Sequence, residues 1–289
     1  MSFRTVVIAN RCKLDYKMGY LEVRKEDTKR ILLDDIHTII IENPAVSFTG
    51  CLVEALMEKK IKVIFCDSKR NPQSELVPYY GCHDCSRKIK TQIGWDEDIK
   101  GEIWTRIVKE KIRKQADFLN ELRKNEEEMM LRGYIDEMEY RDATNREGHA
   151  AKVYFNALFG KEFTRNDDNV INAALNYGYS LILSTINREI AANGYLTQLG
   201  FFHDNMFNQF NLSCDFMEPF RILVDRYVYK NRFAEFSVEE KHMMLEILQQ
   251  EIGINNTRQV LSNGIKIYVK SIFDSINEKD LSLITFYGL

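Results

Sequence analysis

Proline is scarce in this chain. There are four in 289 residues, three of them at or before Pro78, so the remaining two thirds can carry long helices with a single interruption at Pro219. Neither charge is in excess: Lys plus Arg total 40 against 43 for Asp plus Glu, a net charge of -3. That balance excludes a globally basic polyanion-binding protein, and any nucleic-acid surface must be local. No apolar run approaches the ~20 residues of a membrane span, and the start MSFRTVVIAN lacks the charged and apolar regions of a signal peptide. The expectation is a cytoplasmic bacterial protein with no membrane partner. Cysteine is thin as well, six in a long chain that needs no staples. The thiols therefore read as reduced, and the sequons at Asn211 and Asn255 as idle. Cys82 and Cys85 have ligand spacing with His83 between them, but no second half-site follows, so they read as loop residues.

What is present suffices for a large core and two domains: 45% hydrophobic and 29% charged residues, without internal repeats or low-complexity tracts. The first third is strand-like. RTVVIAN, YLEVRK, RILLDD and HTIIIEN are β-branched runs separated by turn signals, and KVIFCD follows a helical stretch, SFTGCLVEALMEKKI, for which Ser47 is the expected N-cap. Asn71 to Cys85 reads as loop. Beyond it apolar residues recur at helical spacing in EIWTRIVKEKIRKQADFLNELRK and VINAALNYGYSLILSTINREIAANG. SVEEKHMMLEILQQEIG opens with a Ser237/Glu240 capping box and ends at a Gly. The fold class is α+β: a β-rich domain with one helix over 1–80, a linker over 81–100, and an all-α domain over 101–289.

One apolar, aromatic stretch, LGFFHDNMFNQFNLSCDFMEPFR, carries His203, Asp215 and Glu218. Burying such groups costs several kcal/mol unless a salt bridge, a hydrogen-bond network or a cation compensates. Asp215 and Glu218 share a face if the segment is helical, with Pro219 near its first turn. A third carboxylate, Glu147, heads the row Ala151, Tyr154, Phe155 and Leu158 and so points toward the core. Gly148 beside it fits close approach of a backbone or ligand. Hard oxygens with an imidazole form a partial site for a divalent cation. Each group also has an ordinary reading: Thr144-x-x-Glu147 is a capping box, His203 a core histidine, Asp215 a charge at a helix start and Glu218 a surface residue.

In combination, NREGHAAKVYF, INAALNYGYSLILSTINREIAANGYLTQLGFFH and LSCDFMEPFRILVD resemble the metal-dependent integrase of CRISPR adaptation, the first of the CRISPR-associated proteins. The match is nearest the type II branch, and NPAVSFTGCLVEALMEKKIKVIFCD and VPYYGCHDCSRKIKTQIGW extend it over nearly the whole chain. The resemblance implies that Glu147, His203 and Glu218 are catalytic and hold one Mg²⁺ or Mn²⁺, with Asp215 an accessory acid. It implies an endonuclease and integrase that inserts captured DNA with 3′-OH ends at the repeat and leader of a CRISPR array. It also implies a homodimer formed by the β-rich domain, and a second CRISPR-associated protein that joins two dimers.

Two other readings stand beside it, a non-integrating metal-dependent nuclease and an idle DNA-binding scaffold. For DNA contact, Asn172, Asn176, Tyr177 and Tyr179 offer amides and phenols, although Tyr177 equally fits a core position. Arg221 offers a guanidinium for phosphate. Arg87, Lys88 and Lys90 read as a solvated face.

Overall fold

The computed structural model describes residues 4–76 and 82–288. Pro78 and the boundary expected at residues 80 and 81 lie outside them. The chain divides into two compact units, 1–83 and 84–289.

The first unit holds two sheets. β1 (Arg4–Ile8), β5 (Ile36–Ile41) and β7 (Lys62–Cys66) pair in parallel, and β8 (Pro72–Glu75) adds an antiparallel edge. Parallel strands are covered on both faces, which is why β5 carries the unbroken run Ile39-Ile40-Ile41 instead of alternating. The second sheet is ordered β4 (Thr28–Leu32), β3 (Tyr20–Arg24), β2 (Lys13–Lys17), β6 (Ser47–Phe48). Met18 and Gly19, both at positive φ, close the β2–β3 hairpin. Leu14, Leu21, Ile39, Leu52, Leu56 and Val63 fill the core between them and α1 (Gly50–Glu58). The α1 cap is Thr49, whose hydroxyl accepts from the Leu52 N–H; Ser47, the expected cap, lies in β6. β8 also falls inside the expected loop, and Pro72 takes the first position of an edge strand, where its missing N–H is tolerated.

The second unit is mainly helical. The expected linker is folded into it: α2 (Cys85–Ile93) starts at Cys85, and α3 (Glu97–Glu121) begins before residue 100. α3 is the axis, burying Ile103, Trp104, Ile107, Ile112 and Phe118 against α4 (Asn125–Asp136), α5 (Arg146–Phe159) and later helices. α6 (Val170–Ala192) follows, then α7 (Asn211–Met217), a 3₁₀ turn at Glu218–Phe220, and α8 (Arg221–Asn231). α9 (Val238–Met244) opens with the Ser237/Glu240 capping box and stops at Met244.

This unit is not wholly helical. β9 (Glu251–Ile254) and β10 (Thr257–Val260) form an antiparallel hairpin ahead of α10 (Leu261–Glu278). Asn255 and Asn256, at φ of 50° and 58°, make its two-residue turn, and Gly253 lies in β9 instead of ending a helix. The tail returns onto this hairpin, Gly288 exchanging backbone bonds of 3.1 and 2.7 Å with Gly253. No helix among the described residues is long and apolar enough to cross a membrane.

Candidate functional site

α5 presents Glu147 in its first turn. The cap is not Thr144: Asn145 occupies the N-cap position in a left-handed conformation, and the Thr144 hydroxyl is buried without a hydrogen bond. Asp142 instead accepts the N–H groups of Arg146 and Glu147 at 2.6 and 2.9 Å. The Glu147 carboxylate is thereby released from capping. At Gly148 the close neighbour is the Asn145 side chain rather than another backbone.

His203 stands in the loop between α6 and α7, and Asp215 of α7 organises that loop. The fully buried Asp215 carboxylate accepts the N–H groups of Phe201, Phe202 and His203 at 2.6, 3.2 and 3.1 Å, and contacts His203 Nδ1 at 2.7 Å. An acceptor at Nδ1 keeps the ring hydrogen there and leaves the Nε2 lone pair available. Gly200 makes the tight approach possible, because a Cβ there would fall 2.3 Å from the His203 carbonyl oxygen and 2.8 Å from Asp215 Oδ2. Trp104 of α3 stacks on Phe202 at 4.6 Å and meets the imidazole edge-on at 5.6 Å, fixing the ring on its other side. The Asp215 contact raises the imidazole's pKa; burial opposes it, and the charges of Asp215, Glu218 and Glu147 add to the rise. His203 therefore lies within the field of both glutamates.

Glu218 sits in the 3₁₀ turn between α7 and α8, 2% exposed. Its Oε1 accepts from Arg221 Nε at 2.9 Å, and Arg221's terminal nitrogen is 2.8 Å away. Burial would push this acid up, but Arg221 and Lys111 outweigh it and hold the pKa down at about 2. Arg221 is held in turn by the ring of Tyr179, 4.7 Å from its guanidinium carbon.

Lys111 of α3 was not anticipated. Its buried ammonium lies 2.5 Å from Glu147 Oε1 and 2.5 Å from Glu218 Oε2, bridging the two carboxylates. Burial alone would lower the Lys111 pKa, yet the two glutamates lift it above its ordinary value. A signal existed in the sequence: Lys111 continues the inward row Ile103, Ile107 at i+4 spacing. Among the described residues, no three His, Cys, Asp or Glu side chains are grouped so as to hold one metal ion. The acidic pair meets at an ammonium.

The family described as CRISPR associated protein Cas1 matches residues 5–246. This chain belongs to the Cas1 family. It is 33% identical over 286 residues to the CRISPR-associated endonuclease Cas1 of Neisseria meningitidis serogroup C (strain 8013), covering 97% of this chain and 94% of that one. Two solved structures share the fold. A casposase bound to integration product superimposes with a TM-score of 0.75 at 18% identity, over 98% of this chain and 93% of that one. A chain of a Cas6-RT-Cas1–Cas2 complex does so with a TM-score of 0.74 at 18% identity, over 97% of this chain. This Cas1-family chain spans only 36% of the length of that chain.

The structure thus brings Glu147 and Glu218 together at Lys111 with His203 nearby, and turns Asp215 away onto the histidine loop. The residues considered for DNA contact separate. Asn172 is buried and donates to the carbonyls of Thr164 and Asp167, both at 2.8 Å, bracing the loop before α6. Tyr177 is buried against Phe236. Tyr179 is buried with its hydroxyl donating to Asp225. Asn176 is exposed and accepts from Arg165 at 2.6 Å. Arg221 is engaged by Glu218, while Arg87 and Lys88 pair with Asp84 at the start of α2.

Proposed function

We propose that this chain is a metal-dependent DNA integrase of CRISPR adaptation, in which the 3′-OH of a captured fragment attacks a phosphodiester at the repeat boundary of the array. Cleavage is the same displacement with water as nucleophile. The observation that carries the proposal is the convergence of Glu147 and Glu218, from two separate elements, on a single positive charge beside an imidazole aligned by a buried carboxylate. The donor chemistry suits a divalent cation once these groups are gathered on it: two hard carboxylates, now sharing the Lys111 ammonium, and a histidine whose Nδ1 is bound by an acid. The endonuclease name of the Neisseria relative supports phosphodiester chemistry, and the casposase with its integration product supports joining as well as cutting.

Glu147, Glu218 and His203 would hold Mg²⁺ or Mn²⁺, which supplies a Lewis acid and a template for the phosphate and the attacking oxygen. The chain's own contribution is placement. Arg221 keeps Glu218 ionised, Asp215 keeps the Nε2 lone pair available, and Trp104 with Phe202 walls the imidazole on an apolar side. On the same reading Asn176, with Arg165 bound to it, contacts DNA, the β-rich unit forms a homodimer, and a second CRISPR-associated protein joins two dimers.

A strand-transfer assay with 5′-labelled DNA that keeps free 3′-OH ends, purified partner protein, and Mg²⁺, Mn²⁺ or EDTA tests the proposal. Joined product that requires metal and disappears in Glu147→Gln is expected. Shortened DNA without joined product would instead leave a plain nuclease.

A further inference from the structure

Lys111 takes the place between two acids that a divalent cation would share. Two cations cannot hold the same pair of carboxylates without repelling each other, and the local charges show which one yields. Glu147, Glu218 and Asp215 contribute three negative charges, Lys111 and Arg221 two positive ones. A divalent ion added with Lys111 in place would leave the cluster positive. With the ammonium withdrawn it would be neutral. Arg221 is the less mobile of the two cations, tied to Glu218 through two nitrogens and lying over the Tyr179 ring. Lys111 is an ammonium on a flexible four-carbon stem, and the Glu147 side of its contact is open to solvent, with a quarter of that side chain exposed.

We propose that Lys111 is a resident counter-ion of the carboxylate pair and is displaced from it when a divalent cation binds. Lys111 is then a positioning residue with two duties: holding Glu147 and Glu218 together before the metal arrives, and setting the concentration at which metal enters. This rests on the metal reading of the site given above.

Mn²⁺ binding to the full chain, followed by electron paramagnetic resonance at fixed pH and ionic strength, tests it. Lys111→Met removes the competing charge and is expected to bind Mn²⁺ at least ten-fold more tightly than wild type. Lys111→Arg keeps a charge and is expected to bind no more tightly than wild type. An unchanged or weaker Kd in Lys111→Met overturns the proposal. Should that variant fail to fold, the wild-type chain answers by ¹⁵N-lysine NMR: the Lys111 ammonium signal is expected to shift or exchange away at saturating Mg²⁺, and an unaltered signal overturns the displacement. If wild type binds no Mn²⁺, or Glu147→Gln binds it equally well, the metal assignment itself fails. Binding that needs Glu147 but gains nothing from Lys111→Met sinks the displacement alone.

Discussion

At the scale of single residues, the site is decided by which acid does which task. Asp142 caps α5, so Asp142→Ala should cost about 0.5–2 kcal/mol of stability, the range for losing a cap. Thr144→Ala, at a hydroxyl that bonds nothing, should stay within about 0.5 kcal/mol. Urea denaturation of the two variants separates them, and equal losses would restore Thr144 as the cap. Asp215 raises the pKa of His203, and the sign follows. The stabilisation from that pair is fully present below about 6.5, the unfolded value, and fades as pH rises through the raised folded value. The proposed metal binding would need the neutral ring, so it would run the other way. Mn²⁺ affinity should climb with a midpoint above 6.5, and Asp215→Asn should move that midpoint downward. An unmoved midpoint would mean another group titrates. Glu147 and His203 were legible because polar groups in apolar rows stand out. Lys111 continues the inward Ile103–Ile107 row but was passed over, because a lysine in a charged helix such as KEKIRKQ looks solvated until the partner acids, 36 and 107 residues further on, are brought to it.

Among elements, long periodic segments were readable and short ones were not. α3 and α6 follow from apolar spacing, and the α9 capping box is present as expected. The β9–β10 hairpin escaped notice although Asn-Asn between alternating residues is a turn signal, because the preceding helical run was carried through to Gly253. Asp215 and Glu218 are three apart as read, yet the helix tightens to 3₁₀ at Glu218 and their side chains diverge. That turn is braced from the tail. The Tyr287 hydroxyl donates to the Pro219 carbonyl at 2.7 Å, its ring stacks on Phe220 at 4.7 Å, and Lys114 donates to its backbone carbonyl at 2.5 Å. Tyr287→Phe keeps the ring and loses the hydroxyl bond, for an expected cost of about 1 kcal/mol. Hydrogen exchange should quicken at residues 218–221 more than in α10. Uniform quickening would show the tail to be ordinary packing.

For the whole molecule, the abrupt change from strands to helices placed the two units correctly in order, while the stretch between them was misread because α2 is short and polar. One buried acid ties overall stability to pH. Burial raises Asp225 to about 6, against the lowering pull of Tyr179 and Arg221. A buried acid with a raised pKa favours folding while protonated, so its stabilising effect is complete below about 4 and is lost as pH rises through about 6. Relative to Asp225→Asn, wild type should lose roughly 3 kcal/mol between pH 4 and pH 7 in urea midpoints, at 1.36 kcal/mol per unit. Parallel curves would mean that Asp225 does not titrate in that range. The tail brace also sets a schedule. Residue 287 is made 68 residues after the Pro219 it secures, and 140 after Glu147. Domains fold as units, N-terminal first, during synthesis. On the ribosome the β-rich unit can be complete while the acidic centre still lacks its last support, so a half-made chain carries both glutamates without the strut that sets the second.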